Sequence, residues 1–407
     1  MQTLAELDLP HLPMEDSAFA QDPFPYFAEA RKKQPWRATC KFGLVIHEFT
    51  AMRELYGQDD KLRPPYGGIV EQLGLQGTPW GRFTEEQMIS LPVDKHRLLR
   101  DTFAAKFTPR FANQLRPMMR DTITRLLDEW VPQGEIDFED FASHFPISVM
   151  FTLVGAPLEG VRLLRDDLEA IGLAHSLEMD RFPRIQEGMV RLEAFVEQVI
   201  ADRRAHPRTD GVEDLLEILI RTGDAGNIAH RQLVDLIMFF FIAGYDTSKN
   251  VLTYTMYTLL KDPAIYRRCA EDHDYCQQVV EEALRWFNPG TSSRFVDQEF
   301  VYRGVLLPKD TMLFFPLSIS GRDPAFPDAD VFDPERPTGG PRHIAFGLGK
   351  HMCLGQFIAR AQLQEALHQI AQRIREPKLS GEFGWRPFFG TWGLKNLPIT
   401  FTPGDAR

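Results

Sequence analysis

Phe346-Gly347-Leu348-Gly349-Lys350-His351-Met352-Cys353-Leu354-Gly355 is the stretch on which the fold turns. It sets one thiol among glycines, beside two basic residues, immediately before a helical pattern. That pattern starts at Gln356, with Ile358, Ala361, Leu363, Ala366, Leu367 and Ile370 on its apolar side. At such a place helix N-terminal amides donate to sulfur, and Lys350 and His351 add positive potential. The glycines let backbone approach a flat ligand closely. A thiolate is favoured, and it could hold a metal axially. Two plainer readings stand beside this one: a small buried residue opening a helix, and a nucleophile with His351 as its base. Zinc is disfavoured, because neither His351 nor His343 stands at a familiar zinc spacing with a second cysteine. A phosphate loop fails, because Gly347 and Gly349 lack the third glycine of a dinucleotide fingerprint and Lys350 is not followed by Ser or Thr.

Outward from this loop the chain reads as mainly helical. Leu115, Met118, Met119, Ile123, Leu126, Leu127, Trp130 and Val131 recur at three-and-four spacing, and Leu192, Phe195, Val196, Val199 and Ile200 repeat it. From about residue 231 to 260 there is no proline and apolar residues occur nearly all round the wheel, which predicts a long helix through the middle of the fold, ended by Asp262 and Pro263. Between 289 and 341 prolines stand at 289, 308, 316, 324, 327, 334, 337 and 341, so short strands and turns replace helix. Residues 294–302, 305–307 and 312–317 are the strand candidates. No repeat or Gly/Ser linker marks a boundary, which predicts one domain over residues 1–407.

The 407 residues carry a formal net charge of −11, with 43% hydrophobic and 25% charged residues. A sizeable core is permitted, and a net negative chain disfavours a nucleic-acid or membrane-surface role. Four scattered cysteines, Cys40, Cys269, Cys276 and Cys353, read as reduced thiols rather than staples. Residues 1–16 hold four acids, no base and no long apolar run, and the strongest apolar run, 236–244, spans nine residues where a membrane helix needs about 20. A soluble cytoplasmic protein is expected.

The ten-residue loop resembles the cysteine-ligand loop of the cytochrome P450 family, with Phe346, Gly349, His351, Cys353 and Gly355 at the family's pattern without a gap. Three further segments match in the family's order. Glu282-Ala283-Leu284-Arg285 alone is a routine helix pair, but it resembles the family's Glu-x-x-Arg helix, and Arg336 matches the arginine that completes that clamp. Ala243-Gly244-Tyr245-Asp246-Thr247-Ser248 sets an acid beside a hydroxyl in an apolar helix, which is costly in a core unless paired or functional. A structural reading has Asp246 in a salt bridge and Thr247 bonded back to the Ala243 carbonyl. By resemblance, Gly244 leaves room for a ligand, Thr247 supports proton delivery and Asp246 draws the protons from solvent. His96 and Arg100, four apart on one helix face, resemble the family's pair that grips haem propionates, with Arg294 and His351 as further contacts.

The resemblance implies a mainly α, triangular fold with small β-sheets, and haem b between the long central helix and the Cys353 loop. It implies insertion of one oxygen atom of O2 into a C–H bond, by hydroxylation or O-demethylation. Electrons are expected from a ferredoxin and a ferredoxin reductase, with Arg97, Lys106, Arg110 and Lys350 as candidate basic contacts. The variable pocket segments contain Tyr66, Ile69, Leu73, Leu75 and Trp80; Leu173 and His175; Met238, Phe241 and Ile242; Thr291, Ser292 and Ser293; and Trp392, Gly393 and Leu394. Their apolar character, with no basic cluster to hold a carboxylate, points to a small uncharged terpenoid or aromatic substrate. A haem-thiolate peroxygenase or isomerase is the alternative, which the intact Asp246-Thr247 pair disfavours.

Overall fold

In a computed structural model, which describes residues 3–405 apart from Val212 and Thr338, the expected central helix runs over His230–Leu259. At 1.5 Å per residue its 30 residues extend about 45 Å. It can be apolar nearly all round because other helices enclose it. Phe138–Val154 packs along it with Phe138, Phe141, Phe145, Ile147, Val149 and Phe151 fully sealed, and Gly160–Gly172 and Phe182–Ala205 cover a further side.

The helix after Cys353, Gln356–Arg373, lies against Pro109–Trp130. Their contact is closed by Glu365, 1% exposed, which accepts from Arg116 at 2.9 Å and faces Arg120 at 3.2 Å. Charge inside a helix contact is tolerable here because two guanidiniums answer one carboxylate.

The proline-rich stretch yields strands, as expected, in slightly shorter pieces. Residues 294–302 divide into Thr291–Val296 and Phe300–Tyr302, because the second strand turns back at Arg303 and Gly304 to pair with Val305–Leu307. Both turn residues have positive φ, 46° and 78°, as a tight hairpin requires. Thr291–Val296 pairs with Met312–Pro316 (Arg294 opposite Leu313), and the five-stranded sheet continues through Gly43–Ile46 to Arg37–Cys40 on one side and to Leu62–Arg63 on the other. A three-stranded sheet joins Glu135–Asp137, Pro398–Pro403 and Ile374–Leu379. Cys40, Cys269 and Cys276 are buried free thiols. Among the described residues no helix is long and apolar enough to cross a membrane.

Candidate active site

Gly347 and Gly349 both adopt φ 70°, a left-handed backbone that folds the loop into a short turn over Gly349–His351, and the Cys353 amide closes it by donating to the Phe346 carbonyl at 2.8 Å. Burial pushes the Cys353 thiol up, while the Gly355 and Gln356 amides and the Arg100 and Arg360 guanidiniums pull it down. The cations that act on the sulfur are therefore these two arginines. Lys350 and His351, expected in that role from adjacency, do not fill it: Lys350 is exposed, and His351 is held neutral, its pKa pushed down to about 4 by burial and by His96, Arg294 and Arg100. Phe346 is covered by Arg360, 4.5 Å above its ring. The Cys353 side is nevertheless solvent-accessible.

The central helix shows a matching signature. Tyr245, Met238 and Phe241 are fully sealed, yet Ala243 and Thr247 are exposed and Phe239 and Ile242 half-buried. Positions 239, 243 and 247 repeat every four residues, so they share one face. Accessible surface along one face of an otherwise enclosed helix marks an internal recess. Gln362 Nε2 donates to Ser248 Oγ at 2.5 Å, tying the helix that follows Cys353 to the central helix one residue beyond Thr247. Thr247 Oγ1 bonds the Ala243 carbonyl at 3.1 Å. Gly244 does not open space for a ligand: a Cβ there would sit 2.4 Å from Met150 Sδ, so the missing side chain lets the helix Phe138–Val154 approach.

Four basic groups gather beside the Cys353 loop. The His96 and His351 rings lie 4.3 Å apart between centroids, Arg100 Nη2 donates to the Met352 carbonyl at 2.8 Å, and Arg294 donates to the Ser293 carbonyl at 2.8 Å while lying 4.5 Å over Tyr56. Among the described residues none of the four forms an ion pair, and His96 Nε2 is buried with no hydrogen-bond partner. Such a cluster fits carboxylates brought by a bound group.

Asp246 is placed as the structural reading expects, in a salt bridge, rather than in contact with solvent. It is 3% exposed, bonded to Arg386 Nη1 at 2.5 Å and Nη2 at 3.2 Å, and to Asn250 Nδ2 at 2.9 Å. It does not reach solvent itself. Lys249, fully buried, stands 3.6 Å from Asp246 and 2.5 Å from both Glu139 and Glu169, and Tyr245 donates to Glu169 at 2.9 Å. Burial alone would raise Glu169, but Lys249 and Arg386 overcome it and hold that carboxyl at about 2, whereas burial wins at Glu139 and raises it. The half-exposed Glu169 is the cluster's contact with water. Lys249 and Arg386 were not anticipated. The first was legible as a lysine one turn beyond Asp246 in an apolar helix, and the second, 140 residues away in a loop, was not.

The expected clamp is assembled. Arg285 holds Glu282 through Nε at 2.7 Å and Nη2 at 2.6 Å, and Arg336 Nη2 reaches Glu282 at 3.3 Å. Both arginines also donate to the Val331 carbonyl, at 2.9 Å and 2.7 Å, fixing the loop ahead of Cys353.

The pocket candidates divide. His175 is exposed, Tyr66, Leu73, Ile242 and Ser292 are half-buried, and Trp80 is buried, 2% exposed. Met238, Phe241, Trp392 and Leu394 are core rather than lining. Phe241 packs on Phe151 at 4.6 Å, and Trp392 is wedged among Phe287, Trp385 and Phe388 with its Nε1 donating to the Ala20 carbonyl at 2.8 Å. Phe239 takes the place expected for its neighbours. Of the candidate surface contacts, Arg97 and Arg110 are exposed, while the Lys106 ammonium is tied to the Glu213 carbonyl at 2.7 Å.

The model of the family described as Cytochrome P450 matches residues 180–375. Luteothin monooxygenase of Streptomyces thioluteus is 33% identical over 400 residues, covering 97% of this chain and 96% of that one. Cytochrome P450 monooxygenase PikC of Streptomyces venezuelae is 30% identical over 402 residues, covering 95% and 92%. Among solved structures, CalO2 superimposes with a TM-score of 0.85 at 24% identity, over 96% of this chain and 98% of that one. P450BioI, solved with an acyl carrier protein bearing hexadec-9Z-enoic acid, gives 0.83 at 25%, over 95% and 100%. A mainly helical fold with small sheets, and a cysteine loop leading into a helix tied to the long central one, is the architecture of a P450-type oxidoreductase. This chain belongs to the cytochrome P450 family and is a monooxygenase of bacterial type.

Proposed function

We propose that this protein binds haem b through Cys353 and uses O2 and two electrons to hydroxylate or O-demethylate a small uncharged aromatic or terpenoid molecule. The observation that carries the reading is the pairing of an accessible Cys353 sulfur, fed by the Gly355 and Gln356 amides, with four basic side chains that lack an anion. When bound, the haem supplies oxygen activation at an iron made electron-rich by the thiolate. His96, Arg100, Arg294 and His351 would receive its carboxylates, and Phe346, Gly349 and Gly355 shape the loop that approaches it.

The other steps fall to side chains. Thr247 Oγ1, now bonded to the Ala243 carbonyl, rotates to present its proton in the recess. Its resupply comes from Asp246, which exchanges protons with water through the Lys249–Glu169 side of the cluster after loosening from Arg386. Phe239, Ile242 and Ala243 exclude stray water and hold an apolar substrate. The chain acts as one domain in the cytoplasm, taking electrons from a ferredoxin served by its reductase. Arg97, Arg110 and Lys350 supply steering that weakens with salt.

Carbon monoxide added to the dithionite-reduced protein tests the reading, and the long-wavelength Soret band of a thiolate-bound haem is expected. Folded protein that takes up haemin without that band refutes Cys353 ligation. Product formed from peroxide alone, and not from O2 with NADH, ferredoxin and reductase, favours the peroxygenase.

A further inference from the structure

Where the central helix His230–Leu259 ends, the chain turns into the helix Pro263–Glu271, and the strand Ile374–Leu379 passes beside that turn. Together they border a surface cavity of about 500 Å³, a volume usual for a small-molecule site. It lies apart from the site described above. From Thr247 to Leu259 is twelve residues of helix, or about 18 Å at 1.5 Å each.

The lining is apolar below and basic at the rim. Tyr266 is buried with its hydroxyl donating to the Ile374 carbonyl at 2.8 Å, so its polar end is already engaged. Tyr257 and Leu260 are half-buried, and Leu379 is 45% exposed. Lys261 stands 4.1 Å over the Tyr257 ring, and Arg267 and Lys378 border the same cavity. Among the described residues none of the three cations pairs with a carboxylate, and Glu376 alone of the bordering residues is acidic. In a chain of net charge −11 this is a local reversal of sign.

Unpaired surface cations are ordinary by themselves, but the backbone that brings Lys378 here is not. Arg375 pairs with Thr402 and Lys378 with Thr400, so Glu376 and Pro377 together face the single residue Phe401 in a bulge. Glu376 takes φ 50°, a left-handed backbone that residues other than glycine rarely adopt. A regular strand turns alternate residues to one side, yet the four consecutive residues Glu376, Pro377, Lys378 and Leu379 all border the cavity. Bulges re-aim side chains in this way, and a strained backbone points to a use for what it positions.

We propose that this cavity binds a small amphipathic carboxylate, its apolar body on Tyr257, Leu260 and Leu379 and its charge among Lys261, Arg267 and Lys378. A neutral apolar ligand would leave three cations unanswered, and a bare inorganic anion would leave the apolar lining wet. An amphipathic anion answers both. The bound ligand rests against the last turn of the helix that carries Thr247.

2-Naphthoate and 2-naphthamide share a shape and differ in charge. Their dissociation constants are measured by equilibrium dialysis on the holoenzyme, at low and at raised salt. Three exposed ion pairs of ordinary strength make naphthoate about fivefold the tighter ligand at low salt, and the preference shrinks as salt rises. Arg267→Gln with Lys378→Gln abolishes the preference and leaves amide binding within about twofold. Lys95→Gln with Lys309→Gln, the same charge change at exposed lysines outside the cavity, retains it. Equal binding of the two probes by the wild type overturns the proposal, as does binding of neither. So does naphthoate binding that the cavity variant leaves unchanged, since the ligand then sits elsewhere, the substrate pocket included. A loss shared by both double variants overturns it as well, because net charge alone then decides. A dimer in sedimentation velocity that the cavity variant dissolves gives the cavity to a second copy of the chain, and equally overturns it.

Discussion

Replacing Arg386 by methionine isolates what the buried charge cluster contributes. The guanidinium is 2% exposed and its main partner Asp246 3%. Its removal leaves Lys249 alone before Asp246, Glu169 and Glu139. Breaking a buried pair typically costs about 3–5 kcal/mol, because the surviving charge stays desolvated. The lower end applies, since Lys249 remains 3.6 Å from Asp246 and Glu169 is one-third exposed at its side chain. A loss of about 3 kcal/mol is therefore expected for Arg386→Met. Adding Asp246→Asn removes the stranded charge, and the double variant should regain about half of that loss. The assay is urea unfolding at pH 7 of wild type, both single variants and the double, compared at a common m-value. A single loss below about 1 kcal/mol, or a double variant equal to the sum of its singles, would refute the claim that the two residues act as a pair.

Two further outcomes follow from buried positions away from the site. His47 is fully buried with both ring nitrogens unpartnered, and burial, aided by Arg31, pushes its pKa down to about 4 from 6.5. The unfolded chain therefore takes up a proton that the native chain refuses, so stability falls as pH drops from 6.5 to 4, by about 3 kcal/mol at full extent. His47→Met should flatten that acid limb in denaturation midpoints taken across the window, and superimposable limbs would count against it. At Gly321 a Cβ would lie 1.9 Å from the Arg285 carbonyl oxygen, so Gly321→Ala must shift backbone beneath the clamp and should cost at least the ~1–3 kcal/mol of ordinary overpacking. Gly340→Ala, with nothing within 4 Å, should leave the midpoint unchanged, and equal effects from the two would show that the clash is relieved cheaply.

The helices and strands were legible because local pattern dictates them. The lack of proline from 231 to 260 carried the central helix, and the crowding of prolines after 289 carried the strands. The clamp was legible because Glu282 and Arg285 are neighbours on one helix turn. The pocket was legible in part. Met238 and Phe241 were expected to line it on residue type, yet counting in fours back from Thr247 gives 243 and 239, so Phe239 was readable from helix phase alone. Trp392 and Leu394 fall in a segment that reaches the site's neighbourhood, but their side chains fill the core. Strands and loops of such mixed packing give no period to count. The tie between Asp246 and Arg386 was out of reach, since no local rule joins residues 140 apart.

That tie also orders events during synthesis. Glu139, Glu169, Asp246 and Lys249 leave the ribosome well before Arg386, so the nascent chain assembles its acidic knot with one countercharge short. Until the last loop docks, the three carboxylates face Lys249 as their one lysine partner in the cluster. The finished chain supplies Arg386 as the second cation, which joins Asp246 and Glu169 across 140 residues of sequence.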